Sequence, residues 1–279
     1  MDTSASTVPQ PLAHPFLKGQ KALVTGANSG IGKATAIGLG RVGADVVVNY
    51  VAGRDAAEEV VREIESFGVR AYAHEADVSQ EDQVVDMVSR MVKEFGTIDV
   101  MVANAGLQRD APITDMTMAQ WQKVLDVNLN GQFLCAREAT KEFMRRGVVP
   151  EVSRSAGKII CMSSVHQIIP WAGHVNYASS KGGVQMLMAT LAQELAPHRI
   201  RVNAVAPGAI RTPINRSAWD TPEAEAELLR LVPYRRVGDP DDIANVVAAL
   251  ASDFFDYVVG TTIYVDGGMT LFPGFATGG

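Results

Sequence analysis

Cysteine is nearly missing from this chain: two residues in 279, Cys135 and Cys161, far apart in sequence. Isolated cysteines provide neither a disulfide framework nor a zinc-ligand spacing, and they read as small hydrophobes buried in a reducing compartment. Basic excess is missing too. Lys and Arg number 25 against 31 Asp and Glu, a net charge of -6, and no basic run occurs. That balance excludes the electrostatic footprint of a nucleic-acid binder and argues against a polybasic membrane segment. No apolar run reaches the roughly 20 residues of a membrane-spanning helix. The first residues, MDTSASTVPQPLAHPF, lack a charged start followed by an apolar stretch, so they do not read as a secretory signal. Their three prolines and several Ser/Thr residues predict a mobile tail over residues 1–17. The expectation is a soluble, cytoplasmic protein with no nucleic-acid or membrane partner.

What is present is alternation. Short β-branched runs at 22–25, 45–50, 69–76, 98–104, 157–163, 200–206 and 261–266 are separated by helical patterns. In EDQVVDMVSRMVKEFG the apolar Val84, Val85, Val88, Met91, Val92 and Phe95 recur at the spacing of one helix face. Strands alternating with helices imply a single α/β domain over 18–279, a seven-stranded parallel sheet with helices on both faces. Residues 146–157, RGVVPEVSRSAG, read as an inserted surface loop. Residues 211–238 break the alternation with Pro213, Pro222 and Pro233 and read as a flap over a site, and residues 267–279 as a C-terminal tail.

The first strand runs into TGANSGIGKAT, with glycines at 26, 30 and 32. Glycines between a strand and a helix permit a tight turn and bring the backbone close to a pyrophosphate. The free N–H groups and dipole of the helix N-terminus favour that anion. Gly26, Asn28, Ser29, Gly30, Ile31 and Gly32 are therefore candidate cofactor contacts. The second strand ends in Asn49 and Tyr50, with no acid to bind a ribose diol and repel a 2′-phosphate. Use of both NAD and NADP is expected, with Tyr50 at the ribose and Arg54 as the phosphate partner.

NYASSKGG, residues 176–183, sets Tyr177 and Lys181 one helical turn apart on one face. A free tyrosine, with a pKa of about 10, is a poor base at neutral pH, and a neighbouring ammonium would lower it. With TG-x-x-x-GIG at 25–32, ANAG at 103–106, YASSK at 177–181 and PG at 207–208 in this order, the chain resembles the short-chain dehydrogenase/reductase family from about Lys18 to Asp266. The resemblance implies a Rossmann-type, doubly wound fold and a catalytic set of Asn128, Ser164, Tyr177 and Lys181, with Ser163 as second choice for the serine. Asn128 would hold a water linking Lys181 to solvent, and Lys181 would also bind the nicotinamide ribose. The resemblance further places Asp77, Val78, Asn104, Ala105 and Gly106 beside the cofactor's adenosine half. It places Pro207, Gly208, Ile210 and Thr212 near the nicotinamide.

The stretch SSVHQIIPWAGHVNY and the ending VDGGMTLFPGF are similar to the bacillus-type glucose 1-dehydrogenase branch of that family. Gln108, where an acid often stands, and Gln167 and Ile168, where a charged pair is usual, depart from it. The implied activity is oxidation of a sugar hydroxyl, D-glucose at C1 to the lactone, with His166 and Trp171 joining Ser164 and Tyr177 around the substrate. The alternative is a carbonyl or 3-oxoacyl reductase of the same family. A dinucleotide-binding regulator would be expected to lose Ser, Tyr or Lys, and none is lost. Family members are commonly tetramers, so a homotetramer is expected, with the uncharged tail against another subunit. No metal site is expected.

Overall fold

β-Branched residues crowd the inner strands because those strands are covered on both faces, and parallel strands covered on both faces favour Val and Ile throughout, whereas the two edge strands are only partly covered. The computed structural model describes residue 12 and residues 14–271. The strands are β1 (Lys21–Val24), β2 (Asp45–Tyr50), β3 (Ala71–Glu75), β4 (Val100–Ala103), β5 (Gly157–Met162), β6 (Ile200–Pro207) and β7 (Thr262–Val265). They form one seven-stranded sheet in the order β3-β2-β1-β4-β5-β6-β7. Every pairing is parallel. Order reverses between β1 and β4, where an open α/β sheet leaves a crevice beyond the carboxyl ends of its strands.

The helices are α1 (Gly30–Arg41), α2 (Arg54–Glu65), α3 (Glu81–Phe95), α4 (Met118–Leu125), α5 (Gly131–Arg146), α6 (Val175–Leu195), α7 (Pro222–Leu229) and α8 (Pro240–Ala251). Period-2 alternation divides the core between the sheet's faces. Ala22, Val24, Val46 and Val48 pack with α1, α2 and α8, while Leu23 and Val47 pack with α3, α5 and α6.

Two expectations about boundaries change. Leu17 is fully buried in the first of these clusters and its N–H donates to Val42 O at 2.9 Å, so the packed domain starts before Lys18. Residues 1–11 and 13 of the expected tail, and 272–279 of the C-terminal tail, lie outside the described residues. The 146–157 stretch is not simply surface, since Ser153 and Ser155 are buried. The cause is Lys158, whose buried ammonium donates to Ser153 Oγ at 2.6 Å and to Gln20 Oε1 at 2.9 Å. The 211–238 segment contains α7, and its base is closed by Gly238, whose carbonyl accepts from Arg211 N and whose N–H donates to Ala209 O.

Candidate active site

The carboxyl ends of β1, β4, β5 and β6 converge on the crevice. At β1, Gly26 and Gly30 have φ of +60° and +53°, values that favour glycine. A Cβ on Gly32 would meet Gly26 O at 2.1 Å and Asn104 Nδ2 at 2.5 Å. The Ser29 side chain makes no capping bond, which leaves the first N–H groups of α1 open to an anion. This cradle fits the pyrophosphate of a nicotinamide dinucleotide. Gly26, Ser29, Gly30, Ile31 and Gly32 all lie in this turn from β1 into α1.

Other predicted cofactor residues support the loop from behind. Asn104 donates through Nδ2 to Thr25 O at 2.8 Å, and the N–H groups of Asn104 and Ala105 both donate to Thr25 Oγ1. Asn28 Nδ2 donates to Ala52 O at 2.7 Å. Asn49, whose lack of charge suggested dual cofactor use, is a buried staple: Oδ1 accepts from Gly26 N, and Nδ2 donates to Ala76 O. Tyr50 is buried with its hydroxyl donating to Glu75 Oε2 at 3.4 Å. The acid at this end of the sheet comes from β3, in register with Tyr50. Arg54 is exposed and paired with Glu58. Asp77 accepts from Ser79 N and Oγ at 2.9 and 2.7 Å. Burial alone would raise its carboxyl; those bonds and the Lys123 charge offset it and hold the pKa below the usual range. Val78 is buried against Gly131, and Gly106 faces Asn128. Pro207 closes β6, Gly208 packs on Asp266, and Ile210 is buried. Thr212 lies against Gly30 and donates to Asn215 Oδ1 at 2.8 Å.

The chemistry gathers at β5 and α6. Ser163 donates to Gln167 Oε1 at 2.6 Å, and Gln167 Nε2 donates to Tyr264 Oη at 2.7 Å. Ser163 is thus committed to the fold. Ser164 Oγ accepts from His166 N at 3.2 Å, and the Ser164 and Gln108 side chains lie near enough to the Tyr177 phenol to lower its pKa. Burial is the largest influence on Tyr177 and raises its pKa; those two side chains pull it down, and Asp110 adds to the rise. This departs from the expectation that Lys181 does the lowering. The ammonium lies 5.6 Å from the Tyr177 ring centroid and donates to Met162 O at 2.8 Å. Burial pushes Lys181 itself down to about 8.

Asn128 sits in a five-residue π-helical turn, Asp126–Asn130, that joins α4 to α5. Its Oδ1 accepts from Leu107 N at 2.8 Å, and its Nδ2 donates to Leu107 O at 3.0 Å and Ser180 Oγ at 3.1 Å. Ser180 in turn donates to Tyr177 O. The amide therefore clamps the β4 loop to α6, with one Oδ1 lone pair left over.

Around the phenol stands an aromatic wall. His166 stacks on Trp171 with centroids 4.3 Å apart, and Trp171 stacks on His174 at 3.5 Å. Both His166 and Trp171 present edges to Tyr177. Burial lowers His166, keeping it neutral at pH 7. Sequence reasoning missed His174, paired with Asp110 at 3.2 Å, and Asn176, which donates to Arg109 O and accepts from Tyr177 N. Both flank the tyrosine within five residues, a proximity that could have flagged them. Gln108 was visible only as a departure from the resembled branch.

A family model described as enoyl-(acyl carrier protein) reductase matches residues 26–270. The chain belongs to the short-chain dehydrogenase/reductase family. This short-chain dehydrogenase is 46% identical over 262 residues to 3beta-hydroxysteroid dehydrogenase 1 of Eggerthella lenta, covering 94% of this chain and 98% of that one. It is 40% identical to glucose 1-dehydrogenase 2 of Bacillus subtilis, covering 92% and 97%. Among solved structures it resembles a gluconate 5-dehydrogenase from Burkholderia cenocepacia J2315 in complex with NADP and tartrate. The TM-score is 0.84 at 32% identity, covering 92% of this chain and 98% of that one. This short-chain dehydrogenase is thus an oxidoreductase with a nicotinamide cofactor, and none of its described helices is long and apolar enough to cross a membrane.

Proposed function

We propose that this enzyme oxidises a ring-borne hydroxyl with NAD or NADP, D-glucose at C1 to the lactone being the first reading. The observation that carries it is Tyr177 set between Ser164 and Lys181, beside the stacked wall of His166, Trp171 and His174. The nicotinamide, when bound, supplies the hydride acceptor. Ser164 donates to the substrate oxygen, and Tyr177 takes the hydroxyl proton as the C–H hydride leaves. Ser164 and Gln108 favour the phenolate, and Lys181 binds the nicotinamide ribose. The ring edges of this stack beside the phenol suit a pyranose, whose hydroxyls accept and donate there, while both faces of Trp171 are covered by the two imidazoles.

Ile168, exposed beside this wall, and the hydroxysteroid relative favour a second reading, a 3-hydroxysteroid. Phe133 and Met144 on α5 and Met186 on α6 are exposed apolar residues that support a homotetramer paired through those two helices.

Initial rates with D-glucose, other sugars, a 3β-hydroxysteroid and, in reverse, a 3-oxoacyl thioester, each with both cofactors, test the reading. Turnover of glucose with NAD and NADP is expected. Steroid turnover with silent sugars would transfer the site to the second reading. Activity confined to the thioester would discard both ring substrates.

A further inference from the structure

The carbonyl of Met162, at the end of β5, receives two buried donors. Lys181 Nζ is 2.8 Å away and Gln132 Nε2 is 3.0 Å away. Gln132 occupies the first turn of α5, four residues after Asn128, so the π-helical turn delivers both amides to one side of the site. Its carboxamide has one workable orientation. Turned over, it would set its own oxygen against the Met162 oxygen, acceptor to acceptor. Oε1 is therefore the atom left over, buried and without a partner among the described residues. On the same Met162 carbonyl is an ammonium with three N–H donors, of which one is placed on that oxygen. Native structures rarely leave a buried acceptor idle, and an idle one next to a function-bearing cation calls for an account.

We propose that Gln132 is a positioning residue for Lys181: its Nε2 fixes the Met162 carbonyl, and its Oε1 takes a second N–H of the ammonium through one water. The proposal rests on the dehydrogenase reading above, in which Lys181 must be charged. An acceptor at Oε1 favours the charged form and counters the burial that draws this lysine down to about 8. The titratable groups facing the ammonium are Tyr177 on its own helix and Cys161 on β5, whose thiol is itself pushed up to about 12 by burial. The π-helical turn packed on α6 brings the neutral amide of Asn128, and Lys123 of α4 is engaged with Asp77 at 3.5 Å. No fixed carboxylate faces Lys181 from these elements, which leaves Gln132 as the group that can tune it.

The experiment is NADPH binding followed by fluorescence from pH 6 to 10, with no substrate present, for the wild type, Gln132→Met and Gln132→Glu. In the wild type, affinity falls as Lys181 loses its proton. Gln132→Met, similar in length and without polar atoms, should shift that fall to lower pH by about half a unit. The shift amounts to roughly threefold weaker binding at about pH 8.5 and little change at about pH 6.5. Gln132→Glu should move the fall to higher pH. Superimposable profiles, or a weakening in Gln132→Met that is uniform in pH, overturn the proposal and leave the dehydrogenase reading standing. A wild type that binds neither NADPH nor, in the same assay, NADH overturns both.

Discussion

Ser163 and Ser164 are neighbours at the end of β5, yet a half-turn of backbone gives them different work. Ser163 is bonded into the Gln167–Tyr264 link, whereas Ser164 faces the Tyr177 phenol. Ser164→Ala is expected to lower kcat by about 10²- to 10³-fold, the usual cost of one donor at a developing oxyanion, with the melting temperature nearly unchanged. Ser163→Ala should keep kcat within about fivefold but cost on the order of 1–3 kcal/mol of stability, because a buried Gln167 oxygen loses its donor. Steady-state rates and thermal melts of the two variants distinguish them, and equal loss of kcat in both would refute the assignment. Spacing alone favoured Ser164 and could not exclude Ser163, since adjacent side chains differ in direction and not in type.

At the scale of elements, the glycine-rich turn and the helix it opens form one device. Gly32→Ala places a methyl against backbone that cannot yield cheaply, since Gly26 O would be 2.1 Å away. Overpacking of this kind costs about 1–3 kcal/mol. The expected outcome is a melting temperature lower by a few degrees and at least about tenfold weaker NADP binding by calorimetry. Wild-type affinity would show that the loop does not hold the pyrophosphate. The loop was legible because glycine spacing between a strand and a helix has few other uses. The π-helical turn was not legible: Asn128 and Gln132 lie in an unbroken helical pattern, and only the structure shows the wide turn from which Asn128 reaches Leu107 and Ser180 and Gln132 reaches the Met162 carbonyl. Gln132 passed unnoticed for the same reason.

For the whole molecule, the two ends of the sheet differ in purpose. Carboxyl ends carry the chemistry, and the opposite ends carry a buried cationic knot of Lys158 and Arg201. Arg201 donates to the carbonyls of Leu250, Ser252 and Phe255, and Ser153 links Lys158 to Asp253. Burial lowers Lys158 from 10.5 to about 8, as it lowers Lys181. Between those values the unfolded chain binds more protons than the folded one, so these two lysines make stability rise with pH through that window. Above about pH 9 the buried cysteines, held near 12, act in the opposite sense. Thermal melts between about pH 7.5 and 9 should therefore rise in the wild type, with the slope roughly halved in Lys158→Met. An unaltered slope would show that Lys158 is not the titrating group.

The fold class and the strand count were legible in the chain because both depend on local periodicity, and the phosphate loop and catalytic residue types could be expected from it because their motif members stand close together. Only the tertiary structure decided which serine faces the tyrosine, that Asn49 and Asn104 support the loop from behind, and that Glu75 supplies the acid beside Tyr50. It also decided that Ser153 and Ser155 of the 146–157 stretch are buried and that Gln132 meets Lys181 on one carbonyl. Most of these are contacts between residues well separated in the chain, and such contacts depend on strand order and side-chain direction, which no local pattern encodes.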